Sequence, residues 1–349
     1  MGIKISHKEI GKNNPVFIIA ELSANHNQNY DLAVKTIEAV KEAGADAVKF
    51  QTYTADTITI NCSNEYFQIK HGSLWDGKSL YNLYQEAYTP WDWQPKLKIF
   101  AESMGLICFS SPFDHSAVDF LEKMDVPAYK IASMEITDIP LIEYAASKQK
   151  PMIISTGIAE DYEIEEAIQA CYKVGNHDVV ILKCTSEYPA SFSEMNLKSI
   201  PFISNKYNVP VGLSDHSMGA EAAIAAVTLG ACIVEKHFII DRALGGPDSV
   251  FSMDKKEFAS MVQQIRNIES ALGIYDYVLS DKIKVSRWNR RSLFVCEDIE
   301  EGEVFTAKNI RSIRPGFGLP PKFIGEILGK KAKKEIKKGT PLSWELISD

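Results

Sequence analysis

Eight short apolar, β-rich runs alternate with helical patterns between residues 16 and 238, and this alternation limits the possible folds more than any other feature of the chain. The runs cover residues 16–20, 47–51, 106–111, 128–133, 152–156, 179–184, 209–214 and 231–238. Between them, apolar residues spaced three to four apart predict helices, among them 32–43, 117–123 and 164–174. Eight such units in this order predict an α/β fold, a closed (β/α)8 TIM barrel rather than an open sheet. The 349 residues suit a barrel of about 250 residues with a small appended module. A further helix over 256–272 stops at Gly273, residues 281–291 turn basic and irregular, and short strands then alternate with Gly and Pro turns. The expected organisation is a barrel over 1–280, a linker over 281–290 and a small β-rich domain over 291–349.

One connection breaks the pattern. Residues 52–101, with Gly72, Trp75, Gly77, Trp91 and Trp93, form a link far above the usual loop length, which predicts a functional wall over the barrel mouth. Composition excludes several classes of protein. Hydrophobic residues make up 45% and charged residues 24%, so a large core is affordable and no disorder is implied. No run approaches the roughly 20 apolar residues of a membrane span, and the first ten residues carry charges, so a cytoplasmic protein is expected. The six cysteines lack CxxC spacing and several sit in apolar runs, as buried free thiols do. A net charge of −8 argues against nucleic acid, and an anionic ligand would need local positive groups.

In a barrel, chemistry sits at the carboxyl ends of the strands, so the polar residues ending each run are the candidates. They are Glu21 with Asn25 and His26, Lys49 and Gln51, Ser110 and Ser111, Lys130 with Ser133 and Glu135, Ser155 with Thr156 and Gly157, Thr185 to Tyr188, Ser214 to His216, and Glu235 to His237. Strand alternation puts Lys49 with Gln51, Ser214 with His216, and Glu235 with His237 on shared faces. His216 and His237, on neighbouring strands, can reach one divalent metal such as Mn, Mg or Co, with a carboxylate and water completing the shell. The plainer reading is two hydrogen-bonded core histidines. Lys49 and Lys130 end apolar strands, where an ammonium needs an anion: a bound phosphate or carboxylate, or an ion pair with Glu21 or Glu135. Ser111, Ser133, Ser155, Ser186 and Ser214 suggest a phosphate-binding bowl, since no Gly-x-Ser-x-Gly elbow is present. His7, His71, His115 and His177, and the lysine-rich stretch 329–339, read as surface.

With those residues in view, the chain resembles the sialic acid synthase family over essentially its whole length. The matching blocks are Ile18-Ile19-Ala20-Glu21 with Asn25-His26, Lys49-Phe50-Gln51-Thr52, Tyr129-Lys130-Ile131-Ala132-Ser133, Ser155-Thr156-Gly157, Cys184-Thr185, Gly212-Leu213-Ser214-Asp215-His216 and Glu235-Lys236-His237-Phe238. The tail, with Asn289-Arg290-Arg291-Ser292-Leu293 and Arg314-Pro315-Gly316-Phe317-Gly318, looks like the family's antifreeze-like (SAF) domain. Within the family the insertion Gly72-Ser73-Leu74-Trp75-Asp76, Leu80-Tyr81-Asn82-Leu83-Tyr84 and Ala87-Tyr88-Thr89-Pro90-Trp91 is most similar to that of pseudaminic acid synthases. Lys183 and Ser186-Glu187 depart from the sialic acid synthase pattern.

The resemblance implies condensation of phosphoenolpyruvate with 2,4-diacetamido-2,4,6-trideoxy-altrose and water to give pseudaminic acid and phosphate. A sialic or legionaminic acid synthase using another N-acetylated amino sugar is the alternative, and a non-catalytic sugar- or ice-binding protein a remote one. It further implies a divalent metal on His216 and His237, phosphoenolpyruvate held by Lys49, Ser111, Lys130, Ser133, Ser155, Ser186 and Ser214, and sugar contacts from Gln51, Tyr188, Asp248 and Arg314. Glu21, Glu135 and Glu235, with Lys49, are then the candidate catalytic groups. Arg314 would enter a partner's barrel, so a domain-swapped homodimer is expected.

Overall fold

A computed structural model describes residues 2–70, 72, 74–274 and 276–348. His71 and Ser73, both read from the sequence, lie outside the described residues, as do Met1, Tyr275 and Asp349. A hairpin of β1 (Ile3–Ile5) and β2 (Lys8–Ile10) opens the chain. Eight parallel strands follow: β3 (Phe17–Glu21), β4 (Ala47–Thr52), β5 (Ile107–Pro112), β6 (Tyr129–Ile131), β7 (Met152–Ser155), β8 (Val179–Cys184), β9 (Val211–Asp215) and β10 (Ile233–His237). They close into one barrel in sequence order, with β10 pairing β3 from Ile233↔Phe17 to His237↔Glu21. The expected TIM barrel is the observed fold.

Two runs are shorter as strands than the apolar pattern suggests, each for a local reason. β9 begins only at Val211, after Pro210, which has no amide to give to a ladder. β6 ends at Ile131 because Ser133–Glu135 wind into a 3-10 turn. The helices start where short polar side chains cap them: the Asn29 side chain accepts from Leu32 N at 3.1 Å ahead of Tyr30–Glu42, and Asp254 forms a capping box with Glu257 ahead of Lys255–Leu272. That last helix ends at Gly273, whose φ of 51° lies in the left-handed region that favours glycine. The helices bury stripes such as Ala33, Ile37 and Val40 against the outside of the barrel, and Phe17 and Phe109 are among the large side chains fully buried in the core. All six cysteines are free, and five are buried.

The long link between β4 and β5 is folded. It holds the helices Ala55–Ile58 and Leu80–Ala87 and a turn at Glu65–Phe67 before the barrel helix Gln94–Ser103. Hydrogen bonds at several points tie it down, Gln28 to the Tyr88 carbonyl among them. The Trp91 indole donates to Tyr53 O at 3.0 Å, Thr89 Oγ1 meets His26 Nε2 at 3.0 Å, and the Trp75 indole donates to Pro247 O at 3.0 Å.

The chain divides into two compact units, Met1–Gly273 and Ile274–Asp349. In the second, β11 (Ser292–Val295) pairs antiparallel with β12 (Ile310–Ile313), and the rest of its pairing is single bridges such as Ile299↔Ile336 and Val304↔Lys331. Its own small core includes Leu293, Val295, Phe305, Ile310, Ile327 and Leu342. Residues 281–290, expected to be irregular, are largely helical: Ser280 caps the helix Asp281–Ser286, and a 3-10 turn follows at Arg287–Asn289. The Gly316 amide donates to Trp288 O at 2.7 Å, which joins this segment to the turn after Arg314. Among the described residues, no helix is long and apolar enough to cross a membrane.

Candidate active site

The register of the barrel brings charges from four strands together. Glu21, the last residue of β3, lies opposite Lys49 of β4 on one side and His237 of β10 on the other. The Lys49 ammonium is in ion-pair contact with the Glu21 carboxylate, stands 3.7 Å from Glu235 Oε1 and donates to Ser111 Oγ at 3.3 Å. From the far wall, the Lys130 ammonium stands 3.8 Å from the same Glu235 oxygen and donates to Ser155 Oγ at 2.7 Å and Ile131 O at 3.0 Å. Ser214 Oγ donates to Glu235 Oε1 at 3.2 Å. All of these groups are buried, and two ammoniums balanced by two carboxylates make that burial tolerable. Burial alone would raise the Glu235 pKa, but Lys130 and Lys49 outweigh it and hold the carboxylate ionised.

The sequence left two partners open for the lysines, Glu21 or Glu135. Lys49 takes Glu21, but the carboxylate within ion-pair reach of Lys130 belongs to Glu235. Glu135 lies beyond the end of β6 on the 3-10 turn, with Oε2 buried and without a hydrogen-bond partner. Burial pushes its pKa up to about 7, against the pull of Lys130. Glu235 Oε2 is also unpartnered, because Oε1 receives Lys49, Lys130 and Ser214.

The five serines divide into two sets. Ser111, Ser155 and Ser214 are bonded to the lysine–glutamate cluster, whereas Ser133 and Ser186 flank Gly157. The Gly157 amide donates to Ser133 Oγ at 3.0 Å, and a Cβ at this position would collide with both hydroxyls. Only glycine lets the β7 end approach them so closely.

His216 and His237 face each other with ring centroids 5.3 Å apart. His216 Nδ1 lies 3.0 Å from Thr185 O, which can only accept, so Nδ1 carries a proton and in the neutral ring Nε2 is the lone-pair nitrogen. Burial disfavours charge on this ring, but the Cys184 sulfur, 3.8 Å from Nδ1, and the Thr185 carbonyl hold its pKa above the ordinary value. His237 is driven well below that value by burial and then by the neighbouring His216 and lysines, and is neutral. Its Nδ1 is buried without a hydrogen-bond partner, 3.8 Å from Asp248 Oδ2, which accepts from Ser23 Oγ at 2.5 Å. An orphaned imidazole nitrogen on His237 beside a second imidazole, whose Nε2 is a donor once that ring gives up its second proton, fits an open divalent-cation site. Among the described residues, no cluster of three or more His, Cys, Asp or Glu would hold a metal by itself, so water or substrate would complete the shell.

Directly before each histidine in sequence stands a residue that turns the other way. Lys236 and Asp215 are fully buried and paired at 2.6 Å, and Lys236 also donates to Ser217 O at 2.6 Å. Asp215 Oδ1 in turn accepts from the Ser217 amide and hydroxyl. The pair therefore clamps the backbone on both sides of His216 and directly before His237. Asn25 and His26, candidates by position, are used structurally: Asn25 binds Phe238 O and Ser252 Oγ, and His26 binds Thr89.

A cavity of about 510 Å³ opens at the strand ends, reaching His237 and the turn after β6. Gln51, Ser133, Glu135, Tyr188, His237 and Asp248 line it. Tyr188 stacks at a tilt 4.4 Å from the His216 ring and 5.1 Å from Phe251. Sequence reasoning missed Ser23, Tyr53 and Phe251, which also line the cavity. Ser23 lies two residues and Tyr53 one residue past the strand ends already singled out, and Phe251 follows the Gly245-Gly246-Pro247 loop. Arg314 is exposed on the second unit, directly after β12.

Buried lysines, paired carboxylates and two histidines at the carboxyl ends of barrel strands define an anion-handling (β/α)8-barrel enzyme. Residues 36–277 match the NeuB family and residues 290–348 the SAF domain, and the chain belongs to the NeuB family. It is 49% identical over 327 residues, 94% of this chain and 95% of the other, to the pseudaminic acid synthase of Campylobacter jejuni serotype O:2. It is 48% identical over 330 residues, 94% of this chain and 97% of the other, to that of Helicobacter pylori. A crystal structure of the sialic acid synthetase of Leptospira borgpetersenii in complex with citrate matches with a TM-score of 0.73 and 34% identity, over 82% of this chain and 95% of that one.

Proposed function

We propose that this protein is a pseudaminic acid synthase, joining phosphoenolpyruvate to 2,4-diacetamido-2,4,6-trideoxy-altrose with release of phosphate. The observation that carries the reading is the buried Lys49–Glu235–Lys130 cluster with its strand-end serines, Glu235 standing two residues before His237 on β10, and His237 and Ser133 lining a cavity of sugar size. The near-50% identity to pseudaminic acid synthases over most of the chain supports this sugar over those of the more distant relatives.

In the proposed reaction C3 of phosphoenolpyruvate bonds to the aldehyde carbon of the open-chain sugar, and the aldehyde oxygen takes up a proton. Water adds to C2 and loses a proton, and phosphate leaves with the C2–O electron pair. Lys49 and Lys130 bind the phosphate and carboxylate, with Ser111, Ser133, Ser155, Ser186 and Ser214 as further donors. As the anion engages both lysines, Glu235 loses its partners and becomes the better base. Glu135, its pKa raised to about 7 by burial, is suited to carry a proton near neutral pH. Gln51, Tyr188 and Asp248 contact the sugar. A divalent metal held by His216 and His237 would supply Lewis-acid polarisation of the aldehyde. Arg314 completes the sugar site from a partner chain in a domain-swapped dimer. The decisive assay is phosphate release from phosphoenolpyruvate with each candidate amino sugar, with and without chelator. Release with a mannosamine-derived sugar but not with the altrose derivative would replace this reading with that of a sialic acid synthase.

A further inference from the structure

The insertion between β4 and β5 gives the cavity a roof quite unlike its floor. Ile58, Ile69, Leu80, Leu83, Tyr84 and Ala87 line the same cavity as Gln51, Glu135 and Asp248. Ile69 and Leu83 are each only 8% exposed, although both sit in a segment far from the barrel core. Their positions are held by local bonds. Ile69 N donates to Lys78 O and its carbonyl accepts from Gly77 N, both at 3.0 Å, and Ser79 caps the helix that carries Leu83. Tyr84 packs edge-on against Tyr53 at 5.6 Å, and Trp75 ties the roof to the loop after β10.

A ligand in this cavity meets polar groups on one side and hydrocarbon on the other. Tyr66, Gln68 and Tyr84 give the insertion some polar atoms in this lining, but a hydroxyl turned to the Ile69–Leu83 face would give up its water for hydrocarbon, whereas a methyl there would gain by burial. Resting on the reading that the site condenses phosphoenolpyruvate with an open-chain amino sugar, we propose that the Ile69–Leu83 face is the specificity determinant for the sugar tail. It accepts a methyl at C6 and disfavours a hydroxyl there.

The test compares the 2,4-diacetamido-2,4,6-trideoxy hexose with its 6-hydroxy counterpart in wild type, Leu83→Asn and Ile69→Thr. For wild type, kcat/KM should favour the deoxy sugar by about 10–100-fold, the range within which an apolar pocket rejects an added hydroxyl. In each variant that preference should fall about tenfold or more, with the KM for phosphoenolpyruvate unchanged. Sugar affinity measured by calorimetry without phosphoenolpyruvate should show the same fall. A preference unchanged in both variants, or an equal loss for both sugars, would overturn the assignment. Should no sugar support phosphate release while the affinity preference still falls, the reaction reading fails and the roof assignment stands. Two substitutions at separate sites, one on the helix and one on the preceding turn, guard against a single misfolded variant.

Discussion

The floor and the roof of the cavity solve opposite problems. The floor, with Gln51, Ser133, Glu135 and His237, is carried by strand ends of the barrel whose neighbouring residues on β3, β4, β6 and β10 bury four charges within ion-pair reach, held in balance by the barrel's fixed register. The roof is assembled from short helices and turns of one insertion and offers mainly hydrocarbon and aromatic faces. Rigid strand ends suit chemistry, which needs charges positioned to fractions of an ångström. A separately folded insertion can change its apolar lining without disturbing them, which suits selectivity.

This contrast breaks if the floor can lose its histidines without consequence. His216→Ala and His237→Ala should each lower turnover by about 1000-fold or more and abolish tight metal binding, measured by equilibrium dialysis of the purified chain. Near-normal metal content in both variants would move the site elsewhere.

The outward-facing Asp215–Lys236 pair tests whether the floor is held from behind. Lys236→Met alone should lower unfolding free energy by about 3–5 kcal/mol, because it strands a buried carboxylate. The double variant Asp215→Leu, Lys236→Met should regain most of that stability in urea titrations. If single and double variants were equally destabilised, packing rather than charge would explain the pair.

Lys130→Met should raise the KM for phosphoenolpyruvate by about 100-fold, corresponding to about 3 kcal/mol for a buried charge contact, and leave the KM for the sugar within about threefold. Steady-state kinetics with each substrate varied would decide, and the reverse pattern would assign Lys130 to the sugar.

The smallest effect is expected at Glu135, on the border between floor and roof. Its folded-state pKa of about 7 exceeds the ordinary 4.5, so its protonated form favours the fold. That contribution is fully present below about pH 4.5 and is lost as pH rises through about 7. Relative to Glu135→Gln, the wild type should therefore lose roughly 2 kcal/mol between pH 4.5 and 8, read from denaturation midpoints. Parallel pH profiles for the two proteins would show that the carboxyl is already solvated.

The eight β/α units, their order, the helix stop at Gly273 and the strand-end position of nearly every site residue were legible in the sequence, because strand periodicity and capping are local properties. So was the pairing of His216 with His237, since consecutive strands of a barrel are neighbours. The sequence could not say that Lys130 meets Glu235 and not Glu135: the two come from β6 and β10, which are not adjacent, and their meeting depends on the barrel's closure and stagger. The same limit applied to the roof. Ile69 and Leu83 carry no period that marks them as cavity lining, because what they face is set by how the insertion folds back over strand ends distant in sequence. Local pattern determined which residues stand at the mouth. Only closure of the barrel decided which of them touch.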